Sequence, residues 1–117
     1  MVQKFGGINL SSKDVPRLLH FYRDLLGVPV LEPGMENDDG VTLGFQKDAP
    51  CIWLWDENRW GREYEGNVNL VFEAEDLDAL YRRLREQGVP CDPPYTAVWG
   101  GKECKLHDPD GNVLTIL

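Results

Sequence analysis

Several broad classes are excluded by what this chain lacks. It has no apolar run of about 18 residues, the length a membrane span needs, so a membrane is not an expected partner. Its opening Met-Val-Gln-Lys-Phe-Gly-Gly has no apolar signal-peptide core, and the expected location is cytoplasmic. Basic residues are scarce: 12 Lys and Arg stand against 20 Asp and Glu, a formal net charge of −8. Phosphate binding needs the opposite balance, which excludes nucleic acid as an expected partner. The three cysteines, Cys51, Cys91 and Cys104, are odd in number and show no Cys-x-x-Cys spacing. They argue against a disulfide framework and a zinc site and read as small buried hydrophobes in strand-like segments. There is no Gly-rich phosphate loop and no readable Ser-His-Asp or Cys-His pairing. Of the two histidines, His20 lies off the apolar face of a helix and reads as exposed; His107 stands at a strand end before a turn and reads as a structural or surface residue.

What is present is an ordinary soluble composition, 42% apolar and 27% charged over 117 residues, enough for one domain or two small modules sharing a core. The acids are unevenly placed. Residues 56–78 hold Asp56, Glu57, Glu63, Glu65, Glu73, Glu75, Asp76 and Asp78 against only Arg59 and Arg62. A field of that sign concentrates cationic ligands, and it also serves as a solvated surface.

The chain says nearly the same thing twice. Asp14-Val15-Pro16-Arg17-Leu18-Leu19 opens an apolar stripe that ends in Gly27-Val28-Pro29-Val30. About sixty residues later, Asp76-Leu77-Asp78-Ala79-Leu80-Tyr81 opens another ending in Gly88-Val89-Pro90-Cys91. A motif seen only twice indicates a duplicated module, because an open stack needs at least three repeats. Two copies can close on each other around a cleft.

Helical spacing predicts a helix over 14–26, with Val15, Leu18, Leu19, Tyr22, Leu25 and Leu26 on one face. Asp14 is its expected N-cap and Gly27 its stop. A second helix is predicted over 76–87, carrying Leu77, Leu80, Tyr81 and Leu84 and closed by Gly88. Strand-like runs precede each helix (Ile8-Asn9-Leu10-Ser11 and Leu70-Val71-Phe72-Glu73), and others follow at 28–32, 41–46 and 51–55, then at 91–99, 102–107 and 112–117. The order is β-α-β-β-β, twice. The expected organisation is a first module at 1–57, a connector at 58–66 and a second module at 67–117.

With these elements in place, Phe21-Tyr22-Arg23-Asp24-Leu25-Leu26-Gly27 and the closing Asp108-Pro109-Asp110-Gly111-Asn112 resemble the vicinal oxygen chelate superfamily. This is the group of glyoxalase I, extradiol dioxygenases and bleomycin-resistance proteins. The resemblance spans essentially the whole chain. It implies an α+β fold of two tandem βαβββ modules, forming curved, mostly antiparallel sheets around a cleft. It also implies a homodimer. In metal-dependent members, each module supplies one ligand from its first strand and one from its last. Those positions fall here on Gly7, Trp53, Asn69 and Thr115, which form no chelating set. No cofactor or metal is therefore expected, and no catalytic residue is assigned.

The remaining signal is aromatic. Trp53 and Trp55 alternate with Ile52 and Leu54, so both indoles share a strand face, which the resemblance turns toward the cleft. Trp60, Tyr64, Tyr95 and Trp99 lie in or beside segments that border the same opening in related folds. Glu73 shares a strand face with Asn69. An aromatic, acid-rimmed, metal-free cleft resembles the bleomycin-resistance branch. The expected function is binding and sequestration of a small, flat, cationic molecule, with Trp53, Trp55, Trp60, Tyr64, Asn69, Glu73, Trp99 and Thr115 as candidate ligand-binding residues. The alternative is a metal-dependent lyase, isomerase or dioxygenase using other ligands.

Overall fold

The structure is a computed structural model, and it describes residues 1, 5, 7–32, 40–61, 68–97 and 100–117. Two compact units divide the chain, Met1–Glu65 and Gly66–Leu117. The first unit runs β1 (Gly7–Ser12), α1 (Val15–Leu19), a π-helical turn π1 (His20–Leu25), β2 (Val30–Glu32), β3 (Gly40–Leu43), β4 (Cys51–Asp56) and the short α2 (Glu57–Trp60). The second runs β5 (Asn69–Phe72), α3 (Leu77–Glu86), β6 (Tyr95–Thr96), β7 (Lys102–His107) and β8 (Val113–Ile116). The duplicated βαβββ order is present.

Strand order repeats with it, β1-β4-β3-β2 in one sheet and β5-β8-β7-β6 in the other. In each, the first strand pairs parallel with the last and the other pairings are antiparallel. Period-two alternation then sorts the side chains. Leu10, Ile52, Leu54, Val41 and Leu43 are buried, as are Val15, Leu18 and Leu19 of α1, which packs on β1 and β4. In the second unit Leu70, Leu106, Leu114 and Ile116 are buried together with Leu84 of α3.

The helix starts obey one rule. Asp14 accepts a hydrogen bond from the Arg17 amide at 3.1 Å, and Asp76 accepts one from the Ala79 amide at 3.0 Å. Each satisfies a first-turn donor that has no intrahelical partner. The helix stops match as well: Gly27 and Gly88 both take φ of 76°, where a side chain is costly.

The halves differ by one residue between these landmarks, since Gly27 follows Asp14 by thirteen positions and Gly88 follows Asp76 by twelve. The first half absorbs the extra residue in π1, whose wider i→i+5 winding shows in the Leu26 N–H bond to the Phe21 carbonyl at 3.0 Å. That winding corrects the predicted apolar face. Phe21 is buried beside Tyr22, ring centroids 5.1 Å apart and perpendicular, while Leu25 and Leu26 are only half-buried.

Of the strand expected over 91–99, residues 98–99 lie outside the described residues, and residues 91–97 form Tyr95–Thr96 and an isolated bridge from Cys91 to Leu106. Pro93 and Pro94 lie between them and have no amide to donate to a ladder. Among the described residues no helix is long and apolar enough to cross a membrane.

Candidate functional site

The sheet face away from α1 is built in rows. β1 and β4 pair Asn9 with Trp53 and Ser11 with Trp55, and β3 adds Thr42 beside Trp53 and Gly40 beside Trp55. Trp53 is 39% exposed, between an amide side chain on one neighbouring strand and a hydroxyl on the other. Trp55 is half-buried, and its indole Nε1 is enclosed with no hydrogen-bond partner among the described residues. Such a donor costs about 1–3 kcal/mol when left unpaired. The Ser11 hydroxyl beside it donates to Glu57 Oε2 at 3.3 Å. Trp60 stands apart from this strand face at the end of α2, exposed, with the Arg59 guanidinium 4.7 Å from its ring centroid.

In the second unit the corresponding face carries Asn69 and Val71 on β5, Thr115 on β8 and Glu103, Lys105 and His107 on β7. Thr115 is buried, and its hydroxyl donates to Asn69 Oδ1 at 3.2 Å. Glu73 is exposed just past the end of β5. Tyr95 on β6 pairs with Glu103, and its hydroxyl donates to Glu103 Oε1 at 2.6 Å; this bond holds the phenol above its ordinary pKa. Trp99 and Tyr64 lie outside the described residues. The sequence reading missed Asn9, Thr42, Lys105 and Glu103. Alternation marks their faces, but which strands adjoin β4 and β8 is set by tertiary pairing.

The two halves place matching residues in matching slots. Gly7 pairs with Cys51 and Asn69 with Val113; Trp53 and Thr115 each stand two residues further along the partner strand. These are the four positions at which the resemblance places a divalent ion. Gly7 offers no donor, and a Cβ built there collides with the Cys51 carbonyl oxygen, with φ at 151°. Trp53 offers an indole, which has no lone pair free for a metal, and Asn69 Oδ1 is engaged by Thr115. These residues do not fit a divalent ion. Among the described residues no three His, Cys, Asp or Glu side chains cluster as a metal site.

The motifs behind the resemblance are structural. Asp108 is buried, and its Oδ1 accepts from the Asp110 and Asn112 amides, both at 2.9 Å, while Oδ2 accepts from Asn112 Nδ2 at 2.8 Å. This carboxylate ties the turn between β7 and β8. His20 is exposed on π1 with Nδ1 2.9 Å from Asp24 Oδ2; hydrogen bonds from Arg23 and then His20 bring the Asp24 carboxyl down to about 2. His107 is likewise exposed, a surface residue on the β7 face just described.

One sequence expectation needs correction. Of the cysteines only Cys104 is buried; Cys51 and Cys91 are half-buried, and Cys91 Sγ lies 2.8 Å from Cys104 Sγ. Spacing along the chain hid the pair because β7 has to fold back on the bridge at Cys91 to bring the two together.

The paired βαβββ sheets with these closing motifs can be set beside known proteins. The family model for the Glyoxalase/Bleomycin resistance protein/Dioxygenase superfamily matches residues 4–116. The chain belongs to this superfamily. Within it, the chain is 32% identical over 120 residues to the uncharacterized protein YraH of Bacillus subtilis strain 168, covering 93% of each. Among solved superfamily folds, it is similar to TnmS3, an antibiotic binding protein from Streptomyces sp. CB03234, with a TM-score of 0.76, 24% identity, and 99% and 96% of the two chains covered. It is also similar to lactoylglutathione lyase from Agrobacterium tumefaciens, with a TM-score of 0.75, 18% identity, and 98% and 92% covered.

Proposed function

We propose that this superfamily member is a binding protein that holds a small, flat, cationic molecule against Trp53 without transforming it. One observation carries the reading: Trp53 is 39% exposed within a sheet whose alternate residues, Ile52 and Leu54, are buried. An open indole flanked by Asn9 and Thr42 supplies a stacking plane with hydrogen-bonding groups at both edges. The net charge of −8 favours a cation.

The fold does not choose between binding and catalysis, since the scaffold is shared with an antibiotic binding protein and with a lyase. The residues at Gly7, Trp53, Asn69 and Thr115 favour binding, because metal-assisted chemistry needs donors that they do not supply. Trp55 and Trp60 of the same unit are secondary contacts in this proposal. A cytoplasmic homodimer goes with it, and light scattering on the purified chain tests the assembly.

The test of binding is a titration with an acridine-type aromatic cation, read by tryptophan fluorescence and calorimetry. The wild type is quenched with saturable stoichiometry, Trp53→Ala loses at least tenfold in affinity, and Phe45→Ala, at an exposed side chain outside the strands, binds as the wild type does. Equal affinity in wild type and Trp53→Ala overturns the assignment.

A further inference from the structure

We propose that Cys91 and Cys104 form a two-electron redox site that closes to an intramolecular disulfide when hydrogen peroxide reaches Cys91. The sulfurs already lie 2.8 Å apart, against about 2.05 Å in a formed bond. The backbone sets this approach. Cys91 forms an isolated antiparallel bridge with Leu106, which stands two residues from Cys104 on the same face of β7. The Asp92 carbonyl accepts from both thiols, at 3.2 Å from Cys104 and 3.5 Å from Cys91.

The two sulfurs are unequal. Cys91 is half-buried, whereas Cys104 is only 1% exposed. Burial, and then the hydrogen bond with Cys91, push the Cys104 thiol up to about 12, so it keeps its proton at neutral pH. Cys91 is therefore the sulfur that meets the oxidant. Its thiolate attacks one peroxide oxygen, the O–O bond breaks, and Cys91 becomes a sulfenic acid while the second oxygen leaves as hydroxide and takes up the proton that the Cys91 thiol had released, giving water. The Cys104 sulfur then attacks the Cys91 sulfur; the S–O bond breaks, and the departing hydroxide takes the Cys104 proton as a second water. Two thiols and one peroxide give one disulfide and two waters.

The same asymmetry slows the reverse step. A reducing thiolate reaches only Cys91, so the leaving group is the Cys104 thiolate, and a thiol of high pKa leaves slowly. Once formed, the link is a lasting clamp between Cys91 and the β7 strand.

The experiment treats the folded full chain with hydrogen peroxide, alkylates the remaining thiols and maps the products by mass spectrometry without reduction. The expected result is the loss of two hydrogens from the intact mass, one alkylatable thiol at Cys51, and a peptide pair joined through Cys91 and Cys104. Cys51→Ser gives the same link, and in Cys91→Ser the Cys104 thiol stays reduced. Reduced glutathione opens the link at least tenfold more slowly in the folded chain than in urea. Three alkylatable thiols after peroxide, over-oxidation of Cys91 without a link, or a link through Cys51 overturns the site. Equal reduction rates folded and unfolded overturn the buried leaving group.

Discussion

The Thr115 hydroxyl donates to Asn69 Oδ1 across 3.2 Å, joining the first and last strands of the second unit by side chains as well as backbone. The two ends of this bond are unequal, since Thr115 is buried and Asn69 is exposed. Removing Asn69 strands a buried hydroxyl, whereas removing the hydroxyl leaves an amide that water can serve. Asn69→Ala is expected to cost about 1–3 kcal/mol and Thr115→Val about 0.5–1.5 kcal/mol. Urea denaturation of the two variants checks the order; a larger loss for Thr115→Val contradicts it.

The two oxygens of Asp108 accept from the Asp110 amide, the Asn112 amide and Asn112 Nδ2. Asp108→Ala is expected to lose about 3 kcal/mol, in keeping with hydrogen bonds to a charged acceptor. Asp108→Asn is expected to fall between that variant and the wild type: its Oδ1 still accepts both amides, but its Nδ2 faces the Asn112 Nδ2 donor. Thermal unfolding of the pair measures this.

At Gly7, crowding and backbone conformation act together, whereas at Gly88 φ is positive but nothing lies within 4 Å of an added Cβ. Gly88→Ala isolates the conformational cost, about 1 kcal/mol. Gly7→Ala adds a collision with the Cys51 carbonyl and is expected to cost about 3 kcal/mol or to prevent folding. Similar stabilities for the two variants exclude the crowding argument.

Tyr95 gives a pH dependence at the alkaline end. Its pKa is raised above the ordinary 10.0, first by the hydrogen bond to Glu103. A raised folded pKa gives stability that is complete below the unfolded value and lost as pH rises through the folded one. The pair is exposed, so the stability change is small and the titration is the better readout. In Glu103→Gln, tyrosinate absorbance shows one of the four tyrosines ionising at lower pH than in the wild type. An unchanged titration shows that the bond does not form in solution.

Much of the fold was legible because the duplication repeats the local signals: a capping Asp, an apolar stripe, a stopping Gly and three strand-like runs. Even the π-helical turn was countable as the extra residue between Asp14 and Gly27. It went unread because helical periodicity assumes one winding, and that assumption left Phe21 off the core face. The indole alternation at Trp53 and Trp55 was visible for the same local reason. Asn9 and Thr42 were not, since the parallel pairing of β1 with β4 spans over forty residues and no residue pattern fixes its register. The meeting of Cys91 with Cys104 was hidden likewise, because Pro93 and Pro94 interrupt the strand that would have predicted it.

β4 is hydrogen-bonded on both sides, between β1 and β3, and β8 likewise between β5 and β7. The final strand of each unit is therefore an interior one, and neither sheet is continuous until that strand has arrived. On the ribosome, Gly7–Ser12 has no strand to pair with until Cys51–Asp56 has been made, and Asn69–Phe72 waits in the same way for Val113–Ile116. Loop closure must precede the contacts that reward it, so each unit is expected to refold slowly for its length and in a single late step. Until then its open strand edges depend on dilution or chaperones to stay apart.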